Sequence, residues 1–317
     1  MDDLSFIFCY KNYRILELSF TSEHFLPQNR AFLYGDAIQV SFFVRNSHLI
    51  MAEECYFYLM ASMRKMRMAI PLSYTLEFFQ NLFEEKIREN NVSHAIIHFF
   101  VYRNNENKPL SKSGISYYFE IEEVDDVLSM QRDFEIDLIK EINVNTNLLS
   151  GIHVHCPENI YAEIYAKEND LDDVIFLNPN KRIARSIYGN LLFLEENRIK
   201  IPKTTEGAYI SPLLENFVTF IHKNNLAQIQ ESEMIAFESQ KAEEVLLMSD
   251  LKGIFAVSKI RNKSFGKDRF AEMIEKWKNS FDQNWQTQST TFKIKVIDQV
   301  LKEYFSYYSL INYTFIR

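Results

Sequence analysis

Apolar positions along the chain follow two periods. Short apolar or aromatic runs bounded by polar turns predict strands over 4–9, 15–20 and 38–44. From 52 to 69 the period changes: Cys55, Leu59, Met63 and Met66 recur at helical spacing, and Pro71 is the expected stop. A second helix is predicted over 73–89, with Leu76, Phe79, Phe83 and Ile87 on one face. Two further strands, 94–102 and 115–121, bracket a polar loop at 104–114.

The acidic stretch 122–126 has no apolar period and marks an interdomain connection near residue 125. It divides the chain into a small N-terminal α/β domain, 1–125, a larger C-terminal α/β domain, 126–280, and a tail, 281–317, without internal repeat. In the second domain the pattern predicts a strand over 134–139, a helix over 157–169, and short strands at 174–177, 183–185 and 191–194. Ser211 suits an N-cap and Pro212 a first helical turn, so a helix opens there. Strands at 245–248 and 254–257 and a helix over 267–277 follow, and the alternation of strands and helices predicts an α/β (α+β) fold.

Composition narrows the function classes. The 317 residues suffice for two domains that each bury a core, and 47% apolar with 25% charged residues is the globular balance. The 27 Phe and 17 Tyr predict a large aromatic core. A net charge of -8 from scattered acids argues against nucleic acid as a partner. The sequence has no apolar run of about 18 residues and no signal-peptide pattern after Met1, so neither a membrane partner nor export is expected. Three cysteines, Cys9, Cys55 and Cys156, without C-x-x-C spacing fit a reducing compartment, and a cytoplasmic location is expected.

One motif is specific. Asn29-Arg30-Ala31-Phe32-Leu33-Tyr34-Gly35-Asp36 resembles the N-R-x-F-x-Y-G-D stretch of branched-chain aminotransferase-like and aminodeoxychorismate lyase-like proteins, the class IV aminotransferases. Further along, Leu149-Ser150-Gly151-Ile152-His153 resembles their L-S-N-L-K, Arg182 to Asn190 their G-x-x-x-E-x-x-x-S-N, and 245–253 their late strand and turn. The resemblance covers about residues 1–280. It implies a two-domain architecture of the fold-type-IV pyridoxal-phosphate (PLP) enzymes, D-amino acid aminotransferase-like, with a cofactor cleft between the domains and a homodimeric assembly.

At the residues that would hold the cofactor, the sequence departs from the family. His153 matches the lysine that forms the imine, with Ile152 as the other possible occupant, and an imidazole cannot form that bond. Arg185 matches the glutamate beside the ring nitrogen, and a fixed cation there opposes its protonation. Tyr58, in Cys55-Tyr56-Phe57-Tyr58-Leu59, stands where H-x-x-R-L carries the phosphate-binding arginine. Ser211-Pro212-Leu213-Leu214 replaces G-[IV]-[MT]-R at a helix start, and Met248-Ser249-Asp250 puts an acid in the last turn.

The resemblance therefore implies a vestigial cofactor pocket of Tyr34, Tyr58, His153, His155, Arg185, Asn190, Ser211 and Ser249, with no catalytic residue, no metal and no cofactor expected. The expected function is that of a non-catalytic binding or partner protein. In the alternative, an active PLP-dependent aminotransferase or 4-amino-4-deoxychorismate lyase uses a lysine from outside the motif; Lys140 and Lys167 are the nearest in sequence. A pocket left to Arg185, His153, His155 and Tyr58 would take a small anion, and mutual repulsion between Arg185 and His153 would keep the imidazole neutral.

Other groupings carry less. His153, His155 and Cys156 could form a metal triplet, since alternate strand residues share a face, but no further ligand is fixed by spacing. His94 and His98 share a strand face in the same way and read as core histidines. Gly207 and Gly266 stand alone, outside any nucleotide-binding glycine pattern.

Overall fold

The computed structural model describes residues 18–21, 29–104 and 110–282. The strand predicted at 4–9, the first part of that at 15–20, and the tail from 283 lie outside the described residues. The chain divides into two compact units, Met1–Met273 and Ile274–Arg317. Both sheets lie in the first; the described residues of the second, 274–282, are helical.

In the N-terminal half the order is β1 (Leu18–Thr21), α1 (Arg30–Tyr34), β2 (Ala37–Arg45), β3 (His48–Ile50), α2 (Ala52–Lys65), α3 (Leu76–Glu89), β4 (Ala95–Arg103) and β5 (Ile115–Glu123). Beyond it come β6 (Met130–Leu138), β7 (His153–Val154), α4 (Pro157–Glu168), β8 (Asp173–Leu177), β9 (Ile183–Ser186), β10 (Asn190–Glu195) and β11 (Arg198–Pro202). The first unit continues with α5 (Pro212–Lys223), β12 (Gln228–Ser232), β13 (Glu244–Ser249), β14 (Gly253–Ile260) and β15 (Lys263–Ser264). This is a mixed α+β fold.

The first sheet runs β1-β5-β4-β2-β3, with β7 also on β2. The second runs β12-β11-β10-β13-β14-β6-β8-β9, with β15 on β14. The ladders change sheet between Glu123 and Met130. One later strand returns: β7 pairs antiparallel with β2, setting His153 opposite Gln39 and Val154 opposite Ile38. That short return brings residue 153 back to the first sheet and toward the second.

The first sheet packs α2 and α3 against an aromatic core. Phe79, Phe83 and Ile87 form the buried stripe of α3, and Phe83 meets Phe42 at 4.7 Å, Phe119 at 5.3 Å and Phe99 at 5.6 Å between ring centroids. Such tilted and edge-on pairs add about 0.5–1.5 kcal/mol each beyond the apolar area they bury. In the second sheet Leu191, Phe193, Val245, Leu247 and Val257 belong to a core of aliphatic and aromatic side chains.

Several boundaries differ from the sequence pattern. Helix α2 ends at Lys65, well short of Pro71, because Arg67 takes a left-handed φ of 53° and Met68 N–H returns to Met63 O at 2.9 Å, closing the helix through its own backbone. Helix α3 begins at Leu76 because the Thr75 hydroxyl accepts from Phe78 N–H at 3.2 Å. The sequence pattern missed β11 and β12, which pair in parallel. Strand β12, Gln-Ile-Gln-Glu-Ser, has no buried residue, so the β11 ladder defines it as a strand and hydrophobic alternation does not.

Candidate functional site

Three segments converge where the sheets meet. Strand β7 delivers His153, β9 delivers Arg185, and the segment leading into α5 delivers Tyr209. Asn190, the first residue of β10, fixes Tyr209 through both halves of its amide: Nδ2 donates to Tyr209 O at 2.8 Å and Oδ1 accepts from Tyr209 N–H at 2.9 Å. The side chain thus mimics a strand partner and aims the ring.

The Tyr209 ring contacts both cationic-type side chains. Its centroid is 4.0 Å from that of His153, and the Arg185 guanidinium carbon lies 4.3 Å from it and 4.9 Å from the Phe176 ring. Arg185 is 3% exposed. Its Nη1 donates to Ser186 O (2.8 Å) and Ile187 O (3.3 Å), and its Nη2 to Asn159 Oδ1 (2.9 Å) and Cys156 Sγ (3.6 Å). Asn159 also donates from Nδ2 to the Tyr209 hydroxyl at 3.2 Å. Burial, followed by the charge of Arg185, pushes the His153 imidazole down to about 3, so it is neutral at physiological pH. Arg185 and His153 thus both contact the Tyr209 ring.

A second polar group forms at the start of α5. Ser211 is its N-cap, accepting from Leu214 N–H at 3.1 Å. The Ser211 hydroxyl also donates to Asp250 Oδ1 at 2.7 Å, and Leu213 N–H donates to the same oxygen at 3.2 Å. Asp250 is 3% exposed and its Oδ2 has no partner among the described residues. Burial raises its carboxyl to about 7 against the opposing pull of these two donors. A carboxylate from the β13–β14 turn therefore already meets the positive end of the helix.

The remaining residues singled out from sequence fall in three places. Tyr58 is buried on α2, its hydroxyl donating to Gly151 O at 3.4 Å, and burial raises its phenol well above the usual range. Ser249 is buried; its hydroxyl donates to Tyr188 O at 2.7 Å and accepts from Leu251 and Lys252 N–H, so it braces the turn that carries Asp250. Tyr34 and His155 stand apart. Tyr34 is 65% exposed beside Arg30, on the rim of a surface cavity of about 480 Å³ that Arg30, Arg67 and Arg103 also line. His155 is exposed and lies against Gly35.

The shared face expected of His153 and His155 is not formed: β7 ends at Val154 and the chain turns into α4, leaving one imidazole buried and the other in solvent. Among the described residues no group of three metal-type ligands assembles. His98 instead contacts Glu122 across β4 and β5 at 2.9 Å. Sequence reasoning did not single out Tyr209 or Asn159. Neither sits in a motif, and only the tertiary fold brings 159, 185 and 209 together.

Comparison with known proteins agrees with this architecture. A family model described as amino-transferase class IV matches residues 42–260. Among solved structures, a Legionella pneumophila protein assigned as a 4-amino-4-deoxychorismate lyase superposes with a TM-score of 0.71 at 21% identity, covering 83% of this chain and 96% of that one. The branched-chain amino acid aminotransferase of Escherichia coli gives 0.71 at 14% identity, with coverages of 81% and 88%. That of Thermoproteus uzoniensis, with norvaline, gives 0.73 at 13% identity, with 83% and 94%. No curated protein matches. Among the described residues no helix is long and apolar enough to cross a membrane.

Proposed function

The chain belongs to the class IV amino-transferase family, and from that premise we propose that it is a non-catalytic member: a binding or partner protein that has given up PLP. The observation that carries this reading is the stack of His153, Tyr209 and Arg185. Where the family resemblance asks for an amine, a carboxylate and an open space for a ring, this chain has a neutral imidazole, a permanent cation and a tyrosine ring held between them.

The phosphate end supports the same reading. Leu213 N–H is committed to Asp250, Leu214 N–H to Ser211, and Pro212 has no N–H to give. Tyr58 contributes no charge, and its hydroxyl is used by Gly151. A phosphate dianion entering here would meet a buried carboxyl group in place of donors. The residues present do not fit PLP, and no reaction step is assigned to it.

The alternative, an active PLP-dependent aminotransferase or 4-amino-4-deoxychorismate lyase with a displaced lysine, needs an amine in this site. Lys140 and Lys167 are both exposed to solvent. Lys252 follows Asp250 by two residues, and its Nζ lies 3.4 Å from the centroid of the Tyr188 ring. Incubation with excess PLP, borohydride reduction and peptide mass mapping tests both readings. No adduct is expected in the site; a stoichiometric PLP-sized adduct on Lys252, Lys140 or Lys167 overturns the non-catalytic reading.

For partners, the reading includes a homodimer, a cytoplasmic location and a small anion held near Arg185. Exposed Phe32 and Tyr34 on α1, and Ile160, Tyr161 and Ile164 on α4, offer apolar surface for self-association. The two sheets and the change of ladder after Glu123 favour a domain boundary near 125. Cys55 and Cys156 are free thiols, as a reducing compartment would keep them.

A further inference from the structure

We propose that the edge of Arg185 facing Cys156 and the N-terminus of α4 is a binding site for a small monocarboxylate. This names the ligand class for the anion of the preceding reading, and rests on the part of it that leaves the pocket without PLP.

The starting point is an imbalance of charge. Arg185 is buried, yet no carboxylate among the described residues stands within ion-pair distance of it; its four Nη hydrogens go to two carbonyls, one amide oxygen and one thiol. Its Nε–H has no acceptor among the described residues. A buried guanidinium without a counter-ion is costly, and a bound anion relieves that cost.

Geometry selects where the anion sits. The Tyr209 and Phe176 rings pack on the guanidinium, 4.3 and 4.9 Å from its carbon, so a ligand approaches it along an edge. The Nη1 side is closed by backbone carbonyls. Nε–H and Nη2–H share the other edge, the fork that a carboxylate grips with two oxygens. Nη2 now donates to Asn159 Oδ1 at 2.9 Å and to the Cys156 sulfur at 3.6 Å, the latter a weak acceptor that an oxyanion displaces readily.

The same spot is the N-terminus of a twelve-residue helix. Cys156 is the N-cap of α4, and its side chain makes no capping hydrogen bond. Pro157 at the first helical position has no N–H and Glu158 sits in the first turn, so the guanidinium, and not the helix, supplies the positive charge at this point. Cys156 and Asn159 are both part-exposed, which gives a small solute a route in. Size and charge limit the guest. The rings restrict it to a flat, edge-on group, and Glu158, whose carboxylate takes the Cys156 S–H at 3.2 Å, disfavours a dianion. Acetate-like anions fit these terms and inorganic phosphate does not.

The test uses the full chain, with acetate and inorganic phosphate as probes at matched ionic strength. Calorimetric titration is expected to show saturable acetate binding with a Kd of about 1–10 mM, at least tenfold weaker in Arg185→Met and unchanged in the exposed control Arg198→Met. Should Arg185→Met fail to fold, the wild-type protein still decides: saturating acetate is expected to slow iodoacetamide labelling of Cys156, followed by peptide mass, several-fold. An unaltered labelling rate, acetate binding that survives Arg185→Met, or tighter binding of phosphate than of acetate overturns the proposal. Acetate binding is read without PLP, so its failure leaves the non-catalytic reading standing, whereas a PLP adduct in the site in the separate borohydride experiment overturns that reading and the proposal that rests on it.

Discussion

The Arg185 guanidinium carbon stands 4.3 Å from the centroid of the Tyr209 ring, and the charge of Arg185 helps to hold His153, the ring's other neighbour, in its neutral form. A tyrosine that separates a permanent cation from an imidazole does electrostatic work as well as packing.

Truncating that ring tests its share. Tyr209→Ala is expected to cost about 3–5 kcal/mol, the range for deleting a large buried aromatic, whereas Tyr209→Phe, which loses only the bond from Asn159 Nδ2 to the hydroxyl, should cost about 1 kcal/mol. Urea midpoints of the two variants measure both numbers. Equal losses would mean that the hydroxyl, and not the ring, holds the site.

His153 makes stability depend on pH in a defined direction. Its folded pKa, about 3, lies below the ordinary histidine value, so the unfolded chain takes up the proton first and stability from this group falls as pH drops from about 6.5 toward 3. His153→Gln should flatten that slope in thermal melts recorded across the window, and an unchanged slope would assign the acid sensitivity to other groups.

Asp250 acts with the opposite sign. Its folded pKa, about 7, exceeds the ordinary carboxyl value, so its contribution is fully present below about pH 4 and is lost as pH rises to about 7. Asp250→Asn keeps an acceptor for Ser211 and Leu213 without the titration. The variant should match wild type near pH 4 and exceed it above pH 7 by about 1–3 kcal/mol. A constant difference at all pH values would remove the carboxyl as the cause.

Restoring the family's amine should not restore the cofactor. His153→Lys places a second cation beside Arg185 at a position only 8% exposed, and is expected to lose about 3–5 kcal/mol. After incubation with PLP and reduction it should carry no adduct at residue 153, read by peptide mass. An adduct at 153 would show that Tyr209 yields its place to the cofactor.

Self-association is testable on α4. Ile160 and Ile164 lie one helical turn apart and each is more than half exposed. Light scattering of the purified chain at tens of micromolar is expected to report a dimer, and Ile164→Glu to shift it toward monomer while leaving its unfolding midpoint within about 0.5 kcal/mol of wild type. A wild-type monomer would remove the dimer from the reading.

The sequence by itself determined the elements whose order is local. The stripe of Phe79, Phe83 and Ile87 announces α3, and Ser211-Pro212 announces the start of α5, because helical period and capping need only near neighbours. The motif at 29–36 and the substitutions at 153 and 185 were legible as a resemblance, since residue identity is all they require. Strand β12 was not, because an exposed polar strand exists only through the β11 ladder. Nor was the separation of His155 from His153, which depends on β7 stopping at Val154. Tertiary structure alone decided that Tyr209, drawn by the Asn190 amide, comes between Arg185 and His153, and that Asp250 reaches the start of α5. Such contacts join residues far apart in the chain, and their cost or gain is set by burial and charge at the meeting point, which no local pattern encodes.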